Sequence, residues 1–408
     1  MPTIPDILAA LRNEQQAFLA TLVRTPSDNP PGDCAPHAEV TADLLSRLGF
    51  IVERDVVPTA VCEAAGMRRV TNLIVRHRFG PGSSDRGLVV ALNAHGDVVP
   101  PGEGWTADPY GAEIRDGWMY GRGAAVSKSD IATYAFALLA LIRSDASLAG
   151  TVELHITYDE ESGGEIGPAR LLAEGLSKPD LAIGAGFSYA VTEAHNGCLH
   201  LEVEVRGRSA HAARPWTGID ALEAATAILA RLYGWRETLA ARESKVPGIG
   251  APQLTVGLIE GGINTNVVPD RVAFRLDRRI VPEETPEAVE AELRAVIGAV
   301  PVGEATVAIR RILLARPLVP DARARRLTDL LCAHASRVLG TEVRPQGVAL
   351  YTDARHYAAA GVPIVLYGAG PRTIEEANAH RADERVKLTD LFAATEVVAS
   401  ALADLLTA

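Results

Sequence analysis

The length, composition and charge of the chain exclude several classes of protein. Its 408 residues exceed what one ordinary core accommodates, so two domains are expected. A content of 48% hydrophobic and 22% charged residues is ordinary for a soluble globular protein. The net charge of -11, with no clustered basic residues, argues against a nucleic acid or an anionic membrane as partner.

The sequence shows neither a membrane or secretion signal nor a cysteine motif. No segment approaches the roughly 20 apolar residues of a membrane span, and the amino terminus has no signal-peptide pattern, so a cytoplasmic protein is expected. The cysteines are far apart and form no C-x-x-C pair, so neither a zinc finger nor a disulfide framework is indicated. They are read as ordinary reduced thiols: Cys34, Cys62, Cys198 and Cys332.

The first part of the chain alternates helix and strand patterns. Apolar spacing predicts helices over 4–23 and 34–48 and strands over 51–57 and 72–76. A further buried strand is predicted at Leu88–Leu92, after the turn-forming residues 82–85. Helices that alternate with apolar strands predict an α/β fold with a mainly parallel sheet covered by helices.

A histidine and an aspartate follow this buried strand, in the segment His95-Gly96-Asp97. Ligands bind at the carboxyl ends of strands in open α/β sheets, where such a pair can supply a metal ligand and the group that orients it. Most isolated pairs of this kind are surface loop residues. The pair therefore gains weight only from other motifs.

A glycine-rich loop, Gly121-Arg122-Gly123, leads into the next predicted helix. It lacks the patterns of a dinucleotide site and of a P-loop, so a phosphate site is not indicated. Ser127 and Asp130 have the spacing of a capping box, in which Ser127 is the N-cap residue.

Three acidic residues, Asp159, Glu160 and Glu161, follow the predicted strand Thr151–Tyr158. Adjacent carboxylates repel one another unless a cation or a proton lies between them. The alternative is a solvated turn before the helix predicted at 168–175. The predicted strand brings these residues to the same edge of the sheet as His95.

Beyond residue 197 the strands alternate apolar and polar residues, as in Leu199–Arg206. Helices near 219–233 and 286–299 and strands near 254–259, 272–276 and 306–312 complete a βαββαβ order. This order predicts a ferredoxin-like module inserted into the α/β domain. The expected domains are therefore 1–197 with 313–408, and 198–312.

The order of these motifs, ending in Asn378-Ala379-His380, resembles one family over nearly the whole chain. It is similar to the metal-dependent amidohydrolases and exopeptidases that include acetylornithine deacetylase, succinyl-diaminopimelate desuccinylase, aminoacylase and glutamate carboxypeptidase. In that family two zinc ions share a water, and the inserted module is a lid and dimerisation domain. The resemblance therefore implies a metal-dependent hydrolase that forms a homodimer.

The resemblance assigns roles to residues that match the family motifs. It implies that Glu160 is the general base and that Asp97 orients the first histidine ligand. His211 matches a histidine that stabilises the oxyanion from the neighbouring subunit in dimeric relatives. The implied metal ligands are His95, Glu161 and His380; the implied substrate-binding residues are Asn266, Arg279, Gly368 and Gly370. Arg278 is the alternative to Arg279.

The chain departs from the family at two metal-ligand positions. Val126 stands where relatives have the bridging aspartate, and Gly186 where they have another acidic ligand. Because valine and glycine side chains cannot coordinate a cation, one ion is expected rather than two, with zinc first and manganese or cobalt as alternatives. Four other residues are candidates to replace the missing metal ligands: Asp130, His155, Glu193 and His195. Asp130 is the first of these candidates.

The expected activity is hydrolysis of an amide bond in an N-acyl amino acid or small peptide that carries a carboxylate. One rival is a mononuclear hydrolase of another C–N bond, in a non-peptide or aromatic substrate. The other rival is a binding protein on the same scaffold that has lost its metal. A metal-free binding protein would have no use for clustered carboxylates, so Glu160 and Glu161 argue against it.

Overall fold

The computed structural model describes residues 2–80 and 87–407, and the turn predicted at 82–85 lies outside them. The chain divides into two compact units. The first unit comprises 1–193, 321–345 and 352–408, and the second unit comprises 194–320 and 346–351. Within the described ranges, none of the helices is both long and apolar enough to cross a membrane.

The strands run in chain order as follows: β1 (Val52–Val56), β2 (Thr71–Phe79), β3 (Val89–His95), β4 (Glu113–Arg115), β5 (Trp118–Tyr120), β6 (Gly150–Thr157), β7 (Leu181–Gly184), β8 (Val191–His195), β9 (Gly197–Arg206), β10 (Leu254–Gly261), β11 (Arg271–Ile280), β12 (Thr306–Ala315), β13 (Pro345–Val348), β14 (Ile364–Leu366) and β15 (Arg385–Lys387).

The α-helices are α1 (Ile4–Arg24), α2 (Ala35–Arg47), α3 (Thr59–Ala64), α4 (Lys128–Arg143), α5 (Pro168–Ala173), α6 (Ala221–Arg236), α7 (Pro286–Gly298), α8 (Arg325–Leu339), α9 (Ala354–Ala359), α10 (Ile374–Ala377) and α11 (Leu388–Leu406). The short helix α3 and the hairpin β4–β5 have too few residues for a clear apolar period, and the sequence did not predict them.

The large sheet has the order β1-β2-β6-β3-β7-β14-β8-β13. Its central strands β6, β3, β7 and β14 are parallel to their neighbours in that run, whereas β1 and β2 are antiparallel. Every residue of β3 is buried, as expected of a strand with neighbours on both sides and packing on both faces. The predicted mainly parallel α/β fold is confirmed.

A small sheet of order β15-β5-β4 connects distant parts of the first unit. In it Lys387 is paired with Trp118 and Arg385 with Tyr120. The segment that precedes β15 contains His380, and the segment that follows β5 contains the glycine-rich loop. This sheet therefore brings the late histidine motif beside the loop at 121–126.

The second unit has the element order β9-α6-β10-β11-α7-β12 and an antiparallel sheet of order β10-β11-β9-β12. This is the ferredoxin-like arrangement that the sequence predicts. The unit has its own core, in which Leu199, Leu201, Val203 and Val205 of β9 are fully buried. His200, Glu202 and Glu204 alternate with them and lie on the opposite, partly exposed face.

Candidate metal centre

Three potential metal ligands meet where β3 and β6 end. These strands are parallel neighbours, and His95 is paired with Thr157, the last residue of β6. One ligand atom from each of His95, Glu160 and Glu161 lies within 4.8 Å of the others. The structure therefore brings together the histidine and the acidic pair that the sequence places at one sheet edge.

Asp97 holds both halves of this cluster. His95 Nδ1 lies 2.9 Å from the carbonyl oxygen of Asp97 and 3.3 Å from its Oδ1. The Asp97 carboxylate also accepts hydrogen bonds from the backbone N–H groups of Glu160 and Glu161 and from Asn29 Nδ2 at 2.9 Å. Because a carbonyl oxygen only accepts, Nδ1 carries a proton and Nε2 of His95 is the atom left for a metal.

The acidic turn depends on two glycines. Gly163 has φ 117° and Gly164 has φ 72°, in the left-handed region that favours glycine. The carbonyl oxygen of Gly163 accepts hydrogen bonds from Arg355 and lies 2.9 Å from His356 Nε2. A side chain at Gly164 would place its Cβ 2.3 Å from Asp353 Oδ1, so Gly164 lets α9 approach the turn.

Asp353 is a site residue that the sequence did not predict. It is 5% exposed, and neither of its carboxylate oxygens has a hydrogen-bond partner among residues 2–80 and 87–407. Burial raises its pKa well above the usual range, and the charges of Glu160 and Asp159 raise it further. Its only signal in the sequence is an aspartate before a short helix, which many unrelated helices share.

His380 completes the predicted ligand set. Its Nε2 lies 3.2 Å from Glu161 Oε1, and about half of its side chain is exposed. The loop that carries His380 is anchored by the neighbouring Glu384, which forms a buried ion pair with Arg122 at 2.5 Å. Glu384 also accepts hydrogen bonds from the backbone N–H groups of Ala125 and Val126.

The two departures from the family pattern are also visible in the structure. Val126 lies in the loop held by Glu384, and its side chain has no atom that could bind a metal. At Gly186 an added Cβ would lie 2.8 Å from the carbonyl carbon of Leu366 and 2.8 Å from the nitrogen of Tyr367. Since both neighbours are backbone atoms, a side chain at position 186 would require the backbone to shift.

The capping box predicted for Ser127 and Asp130 is wrong. Ser127 lies at the N-cap of α4, but its hydroxyl donates to the carbonyl oxygen of His95 and accepts from the His95 N–H, both at 3.1 Å. Asp130 accepts from the Ala369 N–H at 2.6 Å, and its Oδ1 lies against Gly368. Contacts distant in sequence therefore replace the local bonds, and Asp130 anchors the loop at 368–370.

The remaining substitutes for the lost ligands lie elsewhere. His155 is packed between Tyr357 Oη at 2.7 Å and Glu153 Oε2 at 3.0 Å, in keeping with the packed histidine that its mid-strand position suggests. Burial raises the pKa of Glu193, which lies near the opposed charges of Arg325 and Asp329 of α8. His195 belongs to the second unit, where its Nδ1 lies 2.9 Å from the carbonyl oxygen of Asn196.

The electrostatics of the cluster reflect its burial and its negative charge. Burial raises the pKa of Glu160 to about 7, and the charges of Glu161 and Asp97 add to the effect while His95 opposes it. For His95, burial lowers the pKa, but the Asp97 hydrogen bond and the charge of Glu160 outweigh it and leave the pKa well above its usual range. Without a cation the cluster thus retains protons.

The second unit carries the other implied residues at two separate places. His211 and Asn266 are neighbours, because His211 pairs with Val267 and the Ala212 N–H donates to the Asn266 carbonyl oxygen at 3.0 Å. Both are exposed. Arg279 lies near the far end of β11, where its Nε donates to Asp277 at 3.0 Å and its guanidinium carbon lies 5.8 Å from the centre of the Tyr351 ring.

Gly368 and Gly370 lie in the loop anchored by Asp130. The Gly370 N–H donates to the Gly186 carbonyl oxygen at 2.9 Å, and its own carbonyl oxygen accepts from Ser188. The Gly368 carbonyl oxygen accepts from the Ser188 hydroxyl at 3.1 Å. The backbone of Gly370 is thus already engaged within the first unit.

The cluster fits one divalent cation. Imidazole and carboxylate donors converge within coordination reach. A cation among them would offset both the burial of charge and the repulsion between carboxylates that raise the Glu160 pKa. In the pattern that the sequence resembles, position 126 supplies the carboxylate that bridges a second cation, and this chain has an apolar side chain there.

Comparison with known proteins places this chain in a peptidase family. The model of Peptidase family M20/M25/M40 matches residues 91–404. The chain is 30% identical to acetylornithine deacetylase of Myxococcus xanthus, with 98% of each chain covered. It is 29% identical to succinyl-diaminopimelate desuccinylase of Gluconacetobacter diazotrophicus, covering 93% of this chain and 94% of that one.

A solved structure has the same fold. The M20 family metallo-carboxypeptidase Sso-CP2 from Sulfolobus solfataricus superposes with a TM-score of 0.76 at 19% identity, covering 96% of this chain and 98% of that one. The similarity extends over nearly the full length of both proteins.

Proposed function

Because the chain belongs to Peptidase family M20/M25/M40 and is therefore a metal-dependent hydrolase of C–N bonds, we propose that it cleaves the amide bond of an N-acyl amino acid or small peptide. The observation that carries this proposal is the convergence of His95, Glu160 and Glu161 within 4.8 Å at one sheet edge. Relatives named as a deacetylase and a desuccinylase support an acyl group as the part removed.

In the proposed mechanism His95, Glu161 and His380 hold the cation. A bound divalent cation supplies Lewis acidity and lowers the pKa of water. Glu160 takes the proton from the attacking water and passes it to the leaving nitrogen. Asp97 keeps the His95 ring in one orientation through the contacts at Nδ1, and so positions Nε2.

The proposed cofactor is one zinc ion, with manganese or cobalt as alternatives. Two histidines and one carboxylate with an open fourth position are a typical catalytic zinc set. All three residues can bind one ion only if His95 reaches the ion held by Glu161 and His380. Those two are already adjacent, because His380 Nε2 lies 3.2 Å from Glu161 Oε1.

The layout of the second unit supports action across a homodimer. Arg271 begins β11 and follows closely after Asn266, which is a neighbour of His211 in space. Arg279 lies eight positions further along β11, which is about 27 Å at the rise of a β-strand. One small substrate cannot touch both ends. If Arg279 binds the substrate carboxylate and His211 stabilises the oxyanion, the two residues come from different subunits.

The edge of the second unit's sheet offers a surface for this dimer, and the unit would then be the lid and dimerisation domain. β10 and β12 are the edge strands, and Leu258 and Ile259 of β10 are 61% and 56% exposed. An exposed apolar edge strand is a template for pairing with a second copy. Ile259→Lys should convert the dimer to a monomer in light scattering, whereas the equally surface-located Ile51→Lys should not.

The experiment that tests the cation is elemental mass spectrometry of protein purified without chelator. We expect about one metal per chain in the wild type and about two in Val126→Asp, which restores the family's bridging carboxylate. No metal in the wild type, even after supplementation with zinc, manganese or cobalt, would refute the hydrolytic mechanism and favour a binding protein.

The role of Glu160 is tested by Glu160→Gln, with Glu165→Gln as control, because Glu165 lies in the same turn region but is exposed. Loss of a general base should lower kcat by about 10²- to 10⁴-fold with the metal content unchanged. The control should retain wild-type kcat. Turnover of ureas, amidines or aryl amines but not of acyl amino acids would favour the rival C–N substrate.

A further inference from the structure

A second cluster of metal-ligand side chains lies in the second unit. One ligand atom from each of Cys198, His200 and Asp277 lies within 4.8 Å of the others. Cys198 and His200 are two residues apart on β9 and therefore face the same way. Asp277 of β11 is paired directly with His200, and Arg279 with Cys198, so the register of two strands sets the cluster.

We propose that Cys198, His200 and Asp277 bind a zinc-like divalent cation, through residues that the proposed catalytic centre does not use. A thiolate and a carboxylate neutralise the two charges of such an ion, and the imidazole supplies a third donor. The sulfur ligand selects zinc, cobalt or a similar metal over magnesium and calcium, which prefer oxygen donors only.

The geometry supports a site with an open position. Cys198 is fully buried at the base, whereas the side chains of His200 and Asp277 are 34% and 26% exposed, so an ion and one water can enter from their side. Asp277 already has its Oδ1 held by Arg279 Nε at 3.0 Å. Its Oδ2, 2.7 Å from His200 Nε2, is the oxygen that faces the cluster.

The three groups already interact strongly. The hydrogen bond that His200 donates to Asp277, followed by the contact with Cys198, raises the pKa of His200 to about 9. An imidazole held between a carboxylate and a sulfur is oriented before any ion arrives, which reduces the cost of ordering the ligands.

The test is titration of the chelator-treated full-length protein with cobalt(II), followed by absorption spectroscopy. A sulfur ligand gives a thiolate-to-cobalt charge-transfer band in the near ultraviolet. The proposed catalytic ligands, which are imidazoles and carboxylates, cannot produce it. We expect this band in the wild type, its loss in Cys198→Ser and its retention in Cys332→Ser, the matched control on α8.

His200→Ala guards against misfolding of the buried Cys198→Ser variant, because His200 is partly exposed. Loss of a residue that only orients a metal ligand lowers metal affinity by about 10- to 100-fold. Because His200 is a proposed ligand itself, we expect His200→Ala to lower the cobalt affinity by more than this. A wild type without the band, a band that survives Cys198→Ser, or unchanged affinity in His200→Ala would each overturn the proposal. These outcomes are independent of whether the catalytic centre hydrolyses amides.

Discussion

The buried ion pair between Arg122 and Glu384 should dominate the stability of the loops around the proposed cation site. Both side chains are 1% exposed, and Arg122 Nη1 lies 2.5 Å from Glu384 Oε2. Removing one partner of such a pair leaves a buried charge, which costs about 3–5 kcal/mol. We therefore expect Arg122→Met to lower the free energy of unfolding by an amount in this range.

The structure places the loss at the lower end, at about 3 kcal/mol. In Arg122→Met the orphaned Glu384 carboxylate would keep two donors, the backbone N–H groups of Ala125 and Val126. In Glu384→Gln, Arg122 would keep its hydrogen bond to the Pro101 carbonyl oxygen at 3.0 Å. The double variant removes both charges, so its loss should be smaller than the sum of the two single losses by about 1–3 kcal/mol.

The assay is urea denaturation followed by tryptophan fluorescence, since the Trp105 ring centre lies 5.3 Å from the guanidinium carbon of Arg122 and reports on this region. The control is Arg325→Met, which breaks a pair with Asp329 that is 74% and 61% exposed and should cost less than about 1 kcal/mol. The reasoning would be refuted if Arg122→Met and the control lost the same free energy of unfolding. It would also be refuted if the loss in the double variant equalled the sum of the two single losses.

Two further predictions concern the loop positions beside the site. Burial raises the pKa of Asp130 to about 7, so the folded state holds a proton between pH ~4 and ~7 that the unfolded state releases, and stability falls as pH rises through this range. In chelator-treated protein, Asp130→Asn should reduce this slope, so that the difference in stability between pH 5 and pH 8 in urea melts shrinks by about 3 kcal/mol. Gly186→Ala should lower stability by about 1–3 kcal/mol because of the backbone of Leu366 and Tyr367, without raising metal content; an unchanged melt would contradict the close packing.

The parts of the site that could be predicted from sequence are those set by strand ends. His95 and Glu161 each follow an apolar run that is easily recognised, and parallel neighbours end at one edge. The ferredoxin-like unit could be predicted for the same reason, because its strands alternate clearly. Strand periodicity is local, and the meeting of two strand ends follows from it by topology alone.

The parts that could not be predicted depend on contacts between distant segments. Ser127 has the spacing of a helix cap, but its hydroxyl bonds to the backbone of His95, 32 residues away. Asp353 joins the acidic turn through the space left by Gly164, which no pattern near residue 353 reveals. Sequence patterns predict hydrogen bonds between residues that are close in sequence. In the folded chain these side chains bond instead to distant segments that the packing of the core brings near.

The two missing family ligands are lost in different ways, and this difference explains why one cation is the sensible expectation. At Gly186 the neighbouring backbone fills the space of a side chain, so a ligand there would require the loop to move. At Val126 the loop is held by Glu384, which accepts from the Val126 N–H and pairs with Arg122. An aspartate at position 126 would enter a loop that is already in place, which is why restoring this one residue should recover the second ion without the first site being disturbed.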